Sequence, residues 1–483
     1  MDVLGVEGGG EEEGEQQNGE AHRVTVCRVG GRKATLLVAN RERRRGSLRM
    51  RAGSLAAVVA IAIAGADAGT ARGQAALSDG SGAYATGKYR NLFKEDGHSE
   101  KQIRAKIDAA YQQLFHGDPQ TQAVVFAAGS NANGPLMYLT DWNNKDVRTE
   151  GMSYGMMITV ELNKKAEFDA LWNWATTYMY IADAKAPSYE YFAWSCKTDG
   201  THNSEGAAPD GESYFAMALL FAANRWPGGQ GIYDYREQAE KLLTAMVHRE
   251  TITAPGPRGP HTVGAEMNLD PPMVKFVPEA WPRPITDPSY HLPAFYELWA
   301  RWGPAEDRDF WERAAEASRA FFPKVTNAET GLGPDFANFD ASPMTGPFAR
   351  RGSVFGYDAW RTQSNWSVDW SWWRKAPEEQ ALSDQIQKFF ESQGMDTYGP
   401  MYTLKGQLQH PDPRVTHEEH PEGLVGTNAV AGLAATDRTR ERLFTEALWN
   451  TKIPSGQSRY YDGMLYLMSL MHCGGEFRII EPK

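Results

Sequence analysis

Acidic residues stand at the predicted starts of four helices, and their type and placement could support acid–base chemistry. Glu150 follows Thr149 at the head of a segment that carries apolar residues at helical spacing. Thr149 is the expected N-cap, which puts Glu150 in the first turn, where the helix dipole favours an ionised carboxylate. Comparable positions are taken by Asp210, Asp287 and Asp358.

Each aspartate in this set could simply cap its own helix, because aspartate is a preferred N-cap residue. Four acidic residues at one end of the same fold are less easily explained in that way. Like charges that converge in an aromatic-lined cleft raise the pKa of at least one member, as a general acid requires. A carboxylic acid that faces a carboxylate across a sugar is the arrangement used for glycoside hydrolysis.

Two kinds of helix must position these acids, and they alternate along the chain. Amphipathic, charge-bearing helices are predicted over residues 99–115, 166–180, 233–248, 306–322, 377–392 and 437–450. Helices of the second kind are poor in charge and are expected to start near Glu150, Asp210, Pro288, Asp358, Thr427 and Tyr460. Helices that are apolar all round are buried, so the second kind forms an inner layer and the first an outer layer.

The connections between these helices have a direction. An inner helix leads to the next outer helix through a few residues, whereas the return segments are long and rich in Pro, Gly and Asp, as in residues 181–209 and 249–287. All long segments therefore fall at the end where the inner helices start. The pattern predicts an all-α fold, an (α/α)6 barrel of six inner and six outer helices, in one domain over residues 86–483. The alternative is an open helical solenoid, which we rate lower because the inner-helix starts share no repeat motif.

Composition narrows the class of protein. The formal net charge is -11 and no basic domain stands out, which argues against a nucleic-acid partner. The chain contains 15 Trp, 20 Tyr and 20 Phe, enough for a packed core and for rings that stack on sugars. Cys27, Cys196 and Cys473 form neither a zinc motif nor a disulfide framework, although Cys196 and Cys473 could pair. We expect no metal and no cofactor, since no nucleotide motif or metal-ligand cluster is present.

The amino-terminal residues differ from the rest of the chain. Residues 1–49 are low in complexity, Gly/Glu-rich and then Arg-rich, and we interpret them as an extension that precedes a true start at Met50. Residues 50–75 combine a basic segment, a short apolar run and small residues, which is typical of a secretory signal peptide and too short to span a membrane. The alternative is a buried helix. We expect a secreted or periplasmic monomer with no membrane association after signal removal.

Several motifs resemble those of glycoside hydrolase family 8. They are Arg-Thr-Glu-Gly-Met-Ser-Tyr-Gly-Met-Met at 148–157, Ala-Pro-Asp-Gly-Glu at 208–212 and Tyr-Asp-Ala-Trp-Arg at 357–361. Within that family, the segments at 89–95, 191–196, 287–293 and 459–462 are most similar to reducing-end xylose-releasing exo-oligoxylanases. The resemblance extends from Tyr84 to Phe477.

The resemblance implies a role for each matching residue. Glu150 falls on the general acid that protonates the glycosidic oxygen, and Asp358 falls on the general base that deprotonates the attacking water. Asp210 matches a carboxylate that binds the distorted sugar, and Tyr290 matches a tyrosine that helps to hold the water. Arg361, one helical turn beyond Asp358, is placed to keep that residue ionised.

Further residues are expected to bind the substrate. Trp194 is the expected stacking platform, and Tyr460 and Tyr461 are further cleft candidates, with core packing as the alternative for all three. In the exo-acting enzymes a Leu-His-Pro loop blocks the reducing-end side of the cleft. Here His420 matches the histidine, but Glu419 replaces the leucine; the alternative for His420 is a solvated side chain.

The resemblance therefore implies an inverting hydrolase that releases xylose from the reducing end of β-1,4-xylo-oligosaccharides, with its two carboxyl groups about 6.5–9.5 Å apart. An endo-β-1,4-xylanase or an endoglucanase is the alternative within the same chemistry. A non-catalytic carbohydrate-binding protein on the same fold is a third possibility, and the intact set of Glu150, Asp210, Tyr290 and Asp358 argues against it.

Overall fold

Twelve helices of nine or more residues carry the fold of the described residues, in alternating outer and inner positions. The computed structural model describes residues 81–256, 259–281, 284–410 and 419–483. The outer helices are α1 (Glu100–His116), α3 (Lys165–Trp174), α5 (Tyr235–His248), α7 (Arg308–Val325), α9 (Glu378–Gln393) and α11 (Arg438–Asn450). The inner helices are α2 (Thr149–Glu161), α4 (Pro209–Arg225), α6 (Pro293–Trp302), α8 (Thr362–Trp373), α10 (Glu422–Val430) and α12 (Tyr461–Cys473).

The two layers differ in burial as their sequences predict. Outer helix α1 buries Ile103, Ile107 and Leu114 on one face. It begins with a capping box, in which Gln102 N donates to Ser99 Oγ at 3.4 Å and Ser99 N donates to Gln102 Oε1 at 2.9 Å. Inner helix α2 is buried on every side over residues 151–161. An amphipathic helix can lie only at the surface, and an apolar one only inside, so the layers follow from the patterns.

The inner helices form a closed ring. Each packs against the next, and α12 packs against α2, while each outer helix lies on the inner helix beside it. The predicted (α/α)6 barrel is confirmed, and the contact between α12 and α2 excludes an open solenoid.

Short strands cross the end of the barrel where the inner helices begin, and the sequence did not predict them. One antiparallel sheet has the order β1 to β5 (Val125–Asn131, Gly134–Asp141, Asp146–Arg148, Ser195–Cys196 and His202–Ser204). Strand β3 runs directly into α2, and its Arg148 pairs with Ser195 of β4. This pairing brings the loop at Trp194 to the start of α2, where Thr149 N donates to Trp194 O at 3.0 Å. Three two-stranded ribbons complete the loops: β6 and β7 (Ile252–Gly256 and Gly259–Val263), β8 and β9 (Met267–Leu269 and Pro272–Val274), and β10 and β11 (Val354–Phe355 and Tyr402–Thr403).

Two inner helices begin elsewhere than predicted. The predicted start near Thr427 was wrong, because α10 already begins at Glu422. Near that start, Gly423 N donates to Asp462 Oδ1 of α12 at 2.8 Å. The cap comes from a neighbouring helix and leaves no local signal. The predicted start near Pro288 is a separate 3-10 turn, Pro288–Tyr290, and α6 begins at Pro293.

Some of the predictions concern residues that the structure does not describe. The extension over 1–49, the start at Met50, the signal peptide over 50–75 and Cys27 all lie outside the described residues. Cys196 and Cys473 are both buried and both thiols are free, so the pairing considered for them does not occur. None of the described helices is long and apolar enough to cross a lipid bilayer.

Candidate active site

Glu150 is the second residue of α2, and both of its carboxylate oxygens accept hydrogen bonds. Tyr460 OH donates to Oε1 at 2.9 Å, and Arg361 Nη1 donates to Oε2 at 2.9 Å. The predicted N-cap was wrong: Arg148 takes the capping position, and Thr149 is already helical. The helix begins there because Arg148 is still held in the sheet by β4. Glu150 remains in the first turn, as expected.

Burial raises the pKa of Glu150 to about 7. The positive charge of Arg361 opposes this rise, and the negative charge of Asp210 adds to it. The effect of burial exceeds that of the guanidinium, because a buried carboxylate loses its hydration. A carboxyl group whose pKa is near neutrality can hold a proton and release it in a reaction, which is the property of a general acid.

Asp210 has the same position in α4 that Glu150 has in α2. Arg361 Nη1 donates to Asp210 Oδ2 at 2.8 Å, and Gly211 N donates to Asp210 Oδ1 at 3.0 Å. Burial raises the pKa of Asp210, and Arg361 opposes the rise. A glycine follows both Glu150 and Asp210, because a larger side chain would collide with a neighbouring residue there. A Cβ at Gly211 would collide with Thr149, and one at Gly151 would lie 2.5 Å from the Tyr460 ring, so both glycines permit close approach.

Arg361 contacts one acidic residue at the start of each of three inner helices. Besides Glu150 and Asp210 it donates to Tyr154 OH at 2.9 Å, and its Nη2 lies 3.6 Å from Asp358 Oδ1. Because one guanidinium contacts both Glu150 and Asp358, their nearest oxygens are at most about 9 Å apart, which is below the upper limit of about 9.5 Å for the carboxyl pair of an inverting enzyme. The four predicted residues Glu150, Asp210, Asp358 and Arg361 therefore lie together.

Asp358 is the most exposed of the three acids, since 24% of its side chain is accessible against 16% for Glu150 and 7% for Asp210. It begins the 3-10 turn Asp358–Arg361, which precedes α8. Its Oδ2 forms an ion pair with Arg351 Nη2. A partly exposed carboxylate held by a cation is suited to accept a proton from water.

Tyr290 ends the 3-10 turn Pro288–Tyr290, and its ring lies 5.5 Å from the guanidinium carbon of Arg361. The turn is fixed by two hydrogen bonds: Ser289 N donates to Asp287 Oδ1 at 2.7 Å, and Asn365 Nδ2 donates to Ser289 O at 2.7 Å. Burial raises the pKa of the Tyr290 phenol, and Asp210 raises it further. Asp287 is fully buried and acts as a cap.

The predicted sugar-binding residues have different surroundings. Trp194 is partly exposed, with the guanidinium of Arg148 5.6 Å from its ring. Tyr461 is also partly exposed, and its hydroxyl donates to Tyr357 O at 2.7 Å. Tyr460 is only 3% exposed, so it offers Glu150 a hydroxyl rather than offering a sugar an open face.

His420 precedes α10 and packs against Tyr398. Its Nδ1 lies 2.9 Å from Tyr398 O, and the two rings meet edge to face at 4.3 Å. Residues 411–418, which include most of the loop in question, lie outside the described residues. Glu419 and His420 themselves are described.

Sequence reasoning missed several residues around Asp358 and Tyr290. Arg351 and Asp335 form an ion pair behind Asp358, with 2.9 Å between Nε and Oδ2. Phe276 packs against Tyr290 at 5.9 Å between ring centroids, and Trp281 stacks on Phe348 at 5.2 Å. These residues come from loops without a recognisable motif. The dipeptide Arg350-Arg351, in the segment that leads to Asp358, was the one available signal.

The site as a whole combines a proton-holding carboxyl group, a more open carboxylate and a guanidinium between them, at one end of the barrel. Within the described ranges, no group of three or more His, Cys, Asp or Glu is arranged to hold a metal ion. The arrangement can protonate a leaving oxygen on one side and activate a water on the other.

Comparison with known proteins places the chain among carbohydrate-cleaving enzymes. The family model of the glycosyl hydrolases family 8 matches residues 132–475. The reducing-end xylose-releasing exo-oligoxylanase Rex8A of Paenibacillus barcinonensis is 42% identical over 402 residues, which cover 83% of this chain and 99% of that protein.

Solved structures give the same result. A crystal structure of a GH8 xylobiose complex from Teredinibacter turnerae has a TM-score of 0.79 and 49% identity, and covers 83% of this chain and 100% of that one. A xylohexaose complex of a catalytic mutant of a GH8 xylanase from the same organism has a TM-score of 0.79 and 48% identity over the same shares.

Proposed function

This chain belongs to the glycosyl hydrolases of family 8, and we propose that it releases xylose from the reducing end of β-1,4-xylo-oligosaccharides with inversion at the anomeric carbon. It is a glycoside hydrolase. The observation that carries the proposal is the shared contact of Glu150, Asp210 and Asp358 with Arg361. The similarity to Rex8A supports the choice of substrate.

In this proposal Glu150 is the general acid and Asp358 the general base. Glu150 gives its proton to the glycosidic oxygen as the bond to the anomeric carbon breaks. Asp358 takes a proton from the water whose oxygen attacks the opposite face of the same carbon. The unequal environments support the assignment, because burial raises the pKa of Glu150 to about 7, whereas Asp358 is the more accessible acid and forms an ion pair with Arg351.

The remaining site residues hold the reactants. Asp210, kept in place by Arg361 and Gly211 N, binds hydroxyl groups of the distorted sugar. Tyr290, beside Arg361, helps to hold the attacking water. Trp194 and Tyr461 offer partly exposed rings on which xylose units stack. Tyr460 acts on the sugar through Glu150, and His420 limits the reducing-end side.

A second candidate function is endo-acting β-1,4-xylanase activity. It is favoured by the 48% identity to the Teredinibacter turnerae GH8 xylanase, which exceeds the 40% to the Rex8A structure in the same comparison, and by Glu419 in place of the leucine. The exo and endo modes share all acid–base residues, so only the products separate them.

Incubation with xylotriose and xylohexaose tests the proposal. Exo action at the reducing end gives xylose and xylopentaose as the first products of xylohexaose, whereas endo action gives fragments of two to four units. Labelling the reducing end identifies the end attacked. Because the water adds to the non-reducing fragment, proton NMR at early times detects the α-anomer on the shortened oligosaccharide if the enzyme inverts. A first-formed β-anomer contradicts the proposal.

We also propose that residues 86–483 form a secreted, monomeric catalytic domain behind a signal peptide over residues 50–75. The composition of the apolar run and its basic flank supports this. Sequencing the amino terminus of the native protein tests it, and a mature chain that begins before residue 50 contradicts it. Light scattering on the purified protein checks the monomer.

A further inference from the structure

Arg351 reaches Asp358 from the loop that precedes β10. Its Nη2 forms an ion pair with Asp358 Oδ2, and its Nε lies 2.9 Å from Asp335 Oδ2. The guanidinium carbon also lies 4.4 Å from the centroid of the Phe336 ring. Two carboxylates and an aromatic face therefore fix the guanidinium, which bridges Asp335 and Asp358.

Asp335 connects this bridge to the backbone that follows Asp358. Its Oδ1 accepts a hydrogen bond from Ala359 N at 3.3 Å, and its own N donates to Val354 O of β10 at 3.2 Å. Asp335 is almost completely buried. Burial raises its pKa to about 7, and Arg351 opposes this rise. Asp335 is therefore held by its backbone, and its carboxyl group contacts both Arg351 and the turn that begins at Asp358.

Arg361 does not duplicate this role. Its Nη1 lies 2.8 Å from Asp210 and 2.9 Å from Glu150, whereas its Nη2 lies 3.6 Å from Asp358. Its charge is therefore shared by three acids. Arg351 contacts Oδ2 of Asp358, whereas Arg361 lies nearer Oδ1, and Arg351 is the closer of the two cations.

The electrostatic surroundings of Asp358 make each cation important. Among the described residues, Asp358 has two ion-pair partners, Arg351 and Arg361. Four other acids lie close enough for their charges to repel that of Asp358: Glu150, Asp210, Asp287 and Asp335. The phenols of Tyr290 and Tyr461 face it as well. Removal of either cation therefore leaves a strongly negative environment around a carboxylate that must be ionised to act.

We propose that Arg351, anchored by Asp335, is a positioning residue that aims Asp358 at the attacking water and neutralises its charge. The inference rests on the proposed function, in which Asp358 is the general base. Arg351 engages Oδ2 of Asp358, whereas Oδ1 has only the longer contact of 3.6 Å with Arg361 Nη2, so Oδ1 is the oxygen that accepts the proton of the water. When Asp358 takes the proton from water, Arg351 keeps its contact with Asp335 and stays in place.

Kinetics of Arg351→Met test this, with Arg350→Met as the matched control, because Arg350 is the exposed neighbour in the same loop. We expect kcat to fall about 10- to 100-fold in Arg351→Met, since a misplaced reacting group costs about that much. Added guanidinium ion should restore part of the rate, and Arg350→Met should resemble the wild type.

Asp335→Asn gives a second signature. The amide weakens the contact that anchors Arg351, so kcat should fall, and Arg351→Met should cost less kcat in this background than in the wild type. A loop that is merely destabilised would show neither this coupling in kcat nor rescue by guanidinium ion. Absence of guanidinium rescue with kcat within twofold of the wild type in Arg351→Met overturns the proposal.

A measurement without substrate separates this proposal from the proposed function. A double-mutant cycle of Arg351→Met and Asp358→Asn, read as melting temperatures, reports the coupling between the two side chains whatever the enzyme cleaves. Non-additive shifts support the pair, and additive shifts overturn it. If the wild type cleaves xylohexaose internally, the exo proposal fails, but the ratio of variant to wild type on that substrate still decides the role of Arg351.

Discussion

The hydroxyl of Tyr460 donates a hydrogen bond to Oε1 of Glu150 at 2.9 Å, from the residue that precedes α12 to the first turn of α2. Arg361 holds the other oxygen of Glu150. Both contacts stabilise the ionised carboxylate, while burial favours the protonated form and raises the pKa to about 7. The proton affinity of Glu150 is therefore a balance that single substitutions can shift.

Tyr460→Phe should move the basic limb of kcat/KM to higher pH by up to about one unit. Loss of the phenolic donor destabilises the carboxylate of Glu150, so its pKa rises and the acid stays protonated to higher pH. pH–rate profiles on xylotriose measure the limb. Tyr461→Phe is the matched control, because that hydroxyl donates to the backbone oxygen of Tyr357, and it should leave the limb in place. A downward movement in Tyr460→Phe would contradict this account of Glu150.

Substitution of the two reacting carboxyl groups should give different patterns of rescue. Glu150→Gln should lose about 10²–10⁴-fold in kcat on oligosaccharides, but far less on aryl xylosides, whose leaving groups need no protonation. Asp358→Ala should lose a similar factor and should recover with azide, which attacks without a base and gives an α-xylosyl azide. Steady-state rates and NMR of the products check both. Wild-type turnover in Asp358→Ala would remove the base role from this residue.

Gly211→Ala should reduce activity and stability together. The added Cβ would collide with Thr149, so α2 and α4 must separate, and Glu150 and Asp210 must move relative to Arg361. Overpacking of this kind costs about 1–3 kcal/mol. Gly333→Ala is the buried control, since its Cβ would meet Thr326 at an ordinary 3.5 Å. Thermal melting and kcat measure the effect; equal behaviour of the two variants would show that the close approach is unimportant.

Stability should fall as the pH rises through the neutral range. Burial raises the pKa of Glu212 to about 8, so the native state holds a proton that the unfolded state, with a pKa near the ordinary value of 4.5, has already lost. The stabilisation is complete below about pH 4.5 and is lost as the pH approaches 8. Glu212→Gln should therefore raise the melting temperature at pH 8 more than at pH 5. Glu316→Gln, on the exposed face of α7, should change neither.

His420→Ala should lengthen the products if His420 limits the reducing-end side. Its contacts with Tyr398 hold the ring at the entrance to α10, and removal opens that side to further xylose units. Products of xylohexaose, separated by chromatography, measure the change. An unaltered ratio of xylose to longer fragments counts against the blocking role. His410→Ala, in the same connecting segment, is the control.

The sequence by itself determined the barrel and the positions of its acids. Helical periodicity, burial pattern and loop length are local properties, so they predicted twelve helices and placed Glu150, Asp210 and Asp358 at the starts of inner ones. Arg361 could also be placed, because it lies one turn from Asp358. The resemblance to a known family then supplied roles that spacing alone does not give.

Only the tertiary structure decided which groups meet those acids. Tyr460 reaches Glu150 across 310 residues and Arg361 reaches it across 211, while Asp335 and Arg351 converge on Asp358 from irregular loops. The pairing of β3 with β4 and the capping of α10 by Asp462 also join residues that belong to different elements of the fold. The structure likewise decided that Cys196 and Cys473 are both free. The physical reason is that hydrogen bonds and charge depend on distance in space, and closure of the ring sets distances that periodicity along the chain does not encode.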